Sequence, residues 1–288
     1  YKGLFKNVLV VLDLGNSAIS YLAPNVFYSF FKLINTNFTK VNFDLKVFNY
    51  KPNGFNINYK CGSVNYEVLK EKILEIISKE SNKDYDLVVG FTYDGDADRT
   101  LAYLKSKSTD LLFFDGDLII LVLTYFLKNV GYDINSVALT HMSNLAIEEA
   151  FNKMGVKVIR VNVGDKYITQ AIEEGKAQLG AENSGHIVIP LFLKTGDGLF
   201  TSLFFLFSIL IYFEKIIELV LNIELYSQKL LNLKVPNKEK FIIENKELFN
   251  KLNEMIKMEG GRLFVRPSGT EDVVRILIEA KNKNIINN

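Results

Sequence analysis

Short apolar runs recur along this chain between longer stretches of helical periodicity, and that alternation constrains the fold more than any other feature. Residues 8–13, 45–50, 86–91, 111–114, 136–139 and 157–161 read as strands. Helices are expected between them, at about 24–34, 66–81, 116–130, 144–154 and 166–174. Strands that alternate with helices build βαβ units around mostly parallel sheets. At roughly 100–150 residues per domain, a chain of 288 residues has room for two or three. A polar run at 105–110 marks a linker or hairpin, which puts a first α/β domain at 1–108 and a second at 109–226. From Ser227 the order becomes strand, a turn at Pro236, a helix over 238–257, a Gly260-Gly261 turn and a strand hairpin. That is the pattern of a small α+β domain at 227–288, without the helix expected to close it.

Composition removes several classes of function. The formal net charge is +1, so no long-range field draws the chain to nucleic acid or to an acidic membrane surface. Cys61 is the only cysteine, which excludes an internal disulfide and fits the reducing conditions of the cytoplasm. The most apolar stretch, LFTSLFFLFSILIYF at 199–213, falls short of the ~18 residues that suggest a spanning helix. Glu214 and Lys215 follow it at once, so a buried core helix is expected. The chain opens at Tyr1 just before an apolar strand, without a signal pattern, and reads as a longer protein cut between domains.

The strongest chemical signal is FTYDGDADR at 91–99. Asp94, Asp96 and Asp98 alternate directly after a strand, and carboxylates so close repel one another unless a cation neutralises them. Hard oxygen ligands favour Mg²⁺ or Ca²⁺. An EF-hand needs Gly at its sixth position and Glu at its twelfth, where this loop has Arg99 and Lys105, so that reading fails. Ligands of open α/β sheets bind outside the carboxyl ends of the strands, where this loop lies. A metal held there suits a Lewis-acid role on a transferring phosphoryl group.

Two further loops offer complementary chemistry. GAENSGHIVIP at 180–190 sets Glu182, Ser184 and His186 at every second position between strand-like segments. Glu and Ser together supply acceptor and donor capacity for vicinal hydroxyls, and His186 is suited to bind phosphate or to shuttle a proton. A plain hairpin turn is the alternative reading. RPSGTED at 266–272 combines the planar fork of Arg266 with the hydroxyls of Ser268 and Thr270 and an approachable backbone at Gly269. That set suits a phosphate dianion without a metal.

These three loops, in this order, resemble those of the α-D-phosphohexomutases, and the resemblance extends over nearly the whole chain. It implies two consecutive α/β domains of that type and a small α+β domain, the second, third and fourth of the family's four. It also implies Mg²⁺ held by Asp94, Asp96 and Asp98, with Arg99 near the transferring phosphate. ENSGH at 182–186 is similar to the family's sugar loop and RPSGTE at 266–271 to its phosphate loop. KPNGFNINYKCGS at 51–63 and VGDKY at 163–167 are similar to stretches of the bacterial-type phosphoglucosamine mutase branch, with Lys166 in place of an arginine. RPSGTEDVVR instead resembles the phosphoacetylglucosamine branch. The resemblance assigns Arg99, His186 and Lys166 to catalysis, and Glu182, Ser184, His186, Arg266, Ser268, Gly269 and Thr270 to substrate.

The implied reaction converts glucosamine 6-phosphate to glucosamine 1-phosphate through a bisphosphate and an enzyme phosphoserine. The implied ligands are a hexosamine phosphate and its bisphosphate. The family's serine loop is of the Ser-His-Asn-Pro type, and neither His141 nor His186 is followed by Asn-Pro. GNSAIS at 15–20 also departs from the family's usual ANGAG-like turn. A fragment of an intact mutase is therefore expected. The alternatives are an equally truncated glucose- or mannose-phosphate mutase, or a stand-alone sugar-phosphate-binding module, or half of a split enzyme whose partner chain supplies the phosphoserine.

Overall fold

The computed structural model describes residues 4–286, apart from 39, 270, 284 and 285. The first unit comprises β1 (Asn7–Asp13), α1 (Ala23–Asn37), β2 (Asn42–Phe48), α2 (Glu67–Lys79), β3 (Leu87–Tyr93), β4 (Thr100–Ser106) and β5 (Thr109–Phe114). Its sheet has the order β2-β1-β3-β4-β5, in which β1 runs parallel to β2 and β3 while β4 is antiparallel to β3 and β5. The unbroken apolar run of β1 follows from burial on both faces. Val8, Val10 and Leu12 enter the main core beside Phe27 and Phe31 of α1, whereas Leu9 and Val11 pack with Leu69 and Ile73 of α2.

β4 is a strand that the apolar runs do not mark, and it joins β3 to β5. The polar run at 105–110 is the turn of the β4–β5 hairpin, and β5 completes the first sheet. The break expected after residue 108 would cut this hairpin, since β5 pairs with β4 in the first sheet.

The middle unit follows with α3 (Gly116–Asn129), β6 (Ser136–Thr140), α4 (Leu145–Lys153), β7 (Lys157–Val161), α5 (Asp165–Glu173), β8 (Leu179–Ala181), β9 (Ile187–Val188) and α6 (Gly198–Leu221). Its sheet order is β7-β6-β8-β9, parallel except for β9. β6 repeats the logic of β1: Val137 and Leu139 join the main core, and Ala138 packs with Ile168 and Ala171 of α5.

The apolar stretch at 199–213 lies inside α6, which binds the two units together. Phe205 is fully buried, its ring 6.1 Å from Phe91 and 5.1 Å from Phe114 of the first unit. Phe213 meets Phe5 at 5.0 Å, and Phe204 and Phe207 flank Phe126 of α3. Burying one such ring stabilises the fold by roughly 1.5–3 kcal/mol. Among the described residues no helix is long and apolar enough to cross a membrane.

The C-terminal unit holds β10 (Ser227–Lys234), α7 (Lys238–Glu244), α8 (Lys246–Met258), β11 (Arg262–Pro267) and β12 (Val273–Ala280) in an antiparallel sheet of order β10-β12-β11. The single helix expected over 238–257 is two. Asn245 leaves helical dihedrals, and its side-chain amide turns back to donate to the Phe241 carbonyl. Such local side-chain bonding competes with helix continuation.

Candidate active site

β3 delivers the acidic loop. Tyr93, fully buried, anchors its start through a 2.7 Å hydrogen bond between its hydroxyl and Ser202 of α6. The chain then curls tightly, with Ala97 in the left-handed region (φ 60°) and its carbonyl accepting from the Gly198 amide at the start of α6. One carboxylate oxygen each from Asp94, Asp96 and Asp98 lies within 4.8 Å of the others. Burial first, and then the charge of Asp98, pushes the Asp94 carboxyl up to about 6. Arg99 offsets this only in part: its backbone amide donates to Asp94 Oδ1 at 3.2 Å, while its Nε stays 3.5 Å from both Asp94 and Asp98. Asp98 Oδ1 is buried with no hydrogen-bond partner among the described residues. Three crowded carboxylates, one with an orphaned oxygen, fit a hard divalent cation.

The second loop locks onto the first. Arg99 and His186 form a backbone bridge, and Thr100 donates its amide to the Gly185 carbonyl. His186 Nδ1 stands 2.8 Å from Asp98 Oδ2. Gly185 adopts φ 100°, and a Cβ there would lie 2.3 Å from the Thr100 carbonyl oxygen. Gly196 presses on the other side of the histidine, where a Cβ would come within 2.4 Å of the ring. The imidazole, 5% exposed, is thus held in one place against Asp98.

Glu182 is buried and accepts from the Gly164 amide at 2.8 Å, which ties the sugar-loop candidate to the VGDKY segment. Ser184 is half-buried in the turn between β8 and β9. Lys166 lies in the first turn of α5, exposed, its ammonium 4.9 Å from the Tyr167 ring centre.

The third loop joins β11 to β12. Ser268 is buried and its hydroxyl accepts from the Glu271 amide, so it shapes the loop, while Gly269 is exposed. Lys238 braces the same turn by donating to the carbonyls of Ser268 and Glu271. Thr270 lies outside the described residues. Arg266 sits directly opposite Arg275 across the ladder, and among the described residues the Nε of each lacks a hydrogen-bond partner. Desolvation and the charge of Arg275 lower the pKa of Arg266. Arg275 Nη2 pairs with Glu271 Oε2 at 2.8 Å, so the charge facing Arg266 is partly answered within the loop, and a bound dianion would relieve what remains.

Arg275 was missed by the sequence reading. The signal was present: nine residues after Arg266, it falls opposite that residue once the loop is read as a hairpin. The Gly164–Glu182 link was missed as well, because nothing in a linear motif indicates which amide a carboxylate will accept.

The middle unit matches the phosphoglucomutase/phosphomannomutase alpha/beta/alpha domain III over residues 115–224. The C-terminal unit matches the phosphoglucomutase/phosphomannomutase C-terminal domain over residues 230–288. The two matches cover more than half of the chain, which belongs to the phosphoglucomutase/phosphomannomutase, or phosphohexomutase, family. Among individual proteins, the phosphoglucosamine mutase of Campylobacter curvus is 35% identical over 282 residues, 98% of this chain and 57% of that protein. The phosphoglucosamine mutase of Nautilia profundicola is 36% identical over 276 residues, 96% of this chain and 57% of that protein. The chain thus spans little more than half the length of these relatives.

Solved structures share the fold. An Aspergillus fumigatus N-acetylphosphoglucosamine mutase, crystallised with GlcNAc-6P and magnesium, aligns with TM-score 0.71 at 18% identity, covering 99% of this chain and 60% of that one. A phosphoglucomutase/phosphomannomutase family protein from Burkholderia thailandensis aligns with TM-score 0.68 at 19% identity, covering 99% and 59%.

Proposed function

We propose that this chain forms the metal-, sugar- and phosphate-binding part of a phosphoglucosamine mutase, interconverting glucosamine 6-phosphate and glucosamine 1-phosphate in the cytoplasm. The observation that carries the reading is the tie between two loops of different chemistry, the Asp98–His186 hydrogen bond of 2.8 Å. Identities of 34–36% to curated phosphoglucosamine mutases support the amino-sugar assignment.

Asp94, Asp96 and Asp98 would hold Mg²⁺, and the ion when bound supplies Lewis-acid stabilisation to a transferring phosphoryl group. Arg99, beside two of these carboxylates, binds phosphoryl oxygens and stabilises the charge that develops on them. His186 fixes the orientation of Asp98 and offers a proton-transfer group at the sugar oxygen. Glu182 and Ser184 grip the sugar hydroxyls, and Lys166 adds positive charge at the rim. Arg266, Ser268, Gly269 and Thr270 hold the phosphate that stays in place. Because the two phosphate positions rest on different units, the bisphosphate can be bound either way round, and the phosphate that returns differs from the one that left. The phosphoserine comes from outside these residues, either from further sequence of the same protein or from a separate chain. The working division is three units, 4–114, 115–226 and 227–286.

Side-by-side titration of the Mg²⁺-loaded chain with glucosamine 6-phosphate and mannose 6-phosphate tests the substrate. Glucosamine 6-phosphate is expected to bind several-fold more tightly. Equal or reversed affinities sink the amino-sugar assignment.

A further inference from the structure

Glu279 is fully buried in β12, although a lone buried carboxylate is costly. Its partners explain why it is tolerated. Oε2 accepts from Arg262 Nε at 2.6 Å, and Oε1 accepts from the Leu145 amide at 2.7 Å and from Gln228 Nε2 at 3.2 Å. Leu145 opens α4, so the carboxylate joins the C-terminal sheet to the middle unit. Arg262 crosses the same boundary, donating from Nη2 to the Ser143 carbonyl at 2.7 Å.

The socket that receives this pair is itself braced. The Ser143 carbonyl also accepts from Arg160 at 2.6 Å, and the Ser143 hydroxyl donates to buried Asp117 at 2.7 Å. Two residues earlier, His141 stacks on Phe264 of β11 with ring centres 4.5 Å apart.

β-strand alternation gives this anchor a further consequence. Arg262, Phe264 and Arg266 share one face of β11, and their cross-strand partners Glu279, Leu277 and Arg275 share the same face of β12. One end of that face is bolted to the middle unit by Arg262 and Glu279. The other end, four residues and about 13 Å along, carries the facing arginines of the phosphate loop.

We infer that Glu279, with Arg262, is a positioning residue: it sets the angle of the C-terminal sheet and so the distance from Arg266 and Arg275 to the sugar loop at Glu182 and Ser184. The inference rests on the proposed sugar-phosphate reading, because only a ligand that touches both loops senses this distance. A phosphate that touches the C-terminal loop alone does not.

That difference supplies the test. Isotope-labelled chain is titrated with inorganic phosphate and with glucosamine 6-phosphate while the backbone amides of Ser184, Ser268 and Gly269 are followed by NMR. In Glu279→Gln, which keeps the shape but removes the charge from Arg262, the phosphate midpoint at Ser268 and Gly269 stays within about twofold of wild type. The glucosamine 6-phosphate midpoint rises roughly tenfold, within the range by which residues that touch no ligand modulate coupling between sites. Arg262→Lys, which keeps the charge but loses the guanidinium fork, gives the same split and serves should the first variant fold poorly. The inference is overturned if both midpoints are unchanged, or if both rise by the same factor as a general loosening would produce. A wild-type chain that responds to phosphate at Gly269 but never to glucosamine 6-phosphate at Ser184 removes the sugar-phosphate reading, and this inference with it.

Discussion

Removing the His186 ring should weaken Mg²⁺ binding even though the histidine is not among the proposed ligands. Its Nδ1 makes a 2.8 Å hydrogen bond to Asp98 Oδ2, while the other oxygen of that carboxylate has no hydrogen-bond partner among the described residues. Without the ring, Asp98 loses the contact that holds its plane and swings toward Arg99 Nε, already 3.5 Å away. Partners that orient a ligating group are worth about 10–100-fold in metal affinity, or roughly 1.4–2.7 kcal/mol. His186→Ala is expected in that range. Gly196→Ala should act in the same direction with the imidazole still present, since its Cβ would meet the ring at 2.4 Å and force it off Asp98. Calorimetric titration with MgCl₂ measures both, with thermal melts in the absence of metal as a check on folding. Wild-type Mg²⁺ affinity in both variants would refute the argument that a pinned ring sets the geometry of Asp98.

Three further outcomes follow from the packing. Gly185→Ala combines a positive φ with a 2.3 Å approach to a carbonyl, and should cost roughly 2–4 kcal/mol in denaturant unfolding; a loss under 1 kcal/mol contradicts the close approach. Arg275→Ala should weaken sugar-phosphate binding about as much as Arg266→Ala while leaving Mg²⁺ affinity intact, which competition calorimetry can resolve. Asp117 is pushed upward by burial and then by the charge of neighbouring Asp115. The folded chain therefore keeps a proton that the unfolded chain releases, and stability falls as pH rises from the unfolded carboxylate range until the raised carboxyl has titrated. Asp117→Asn should flatten this decline in melting temperature, and an unchanged slope assigns it to other groups.

The parts of the fold legible in the sequence were those set by burial on two faces. β1 and β6 announce themselves as unbroken apolar runs because a helix lies on either side. β4 was harder to see, since Thr100 and Ser106 bound it with polar residues and it follows the acidic loop without a turn signal. The break between α7 and α8 depends on one asparagine bonding its own preceding turn, which helical periodicity does not register. Within the candidate site, loops with a local chemical logic could be read directly: alternating acids, a Glu-x-Ser-x-His spacing, an Arg beside hydroxyls. What binds them together could not, because the Arg99–His186 bridge and the Glu279 anchor join residues 87 and 134 positions apart (186 − 99; 279 − 145). Such pairings depend on topology, which no short motif encodes.

Central to the proposed function are two loops on different units gripping opposite ends of one molecule. The most direct test is calorimetric titration of glucosamine 6-phosphate into the Mg²⁺-loaded chain, with Glu182→Gln and Arg266→Ala in parallel. One saturable site is expected in the wild type, weakened about tenfold or more by each substitution alone. Binding that survives either change at wild-type strength, or no saturable binding in the wild-type chain, contradicts it.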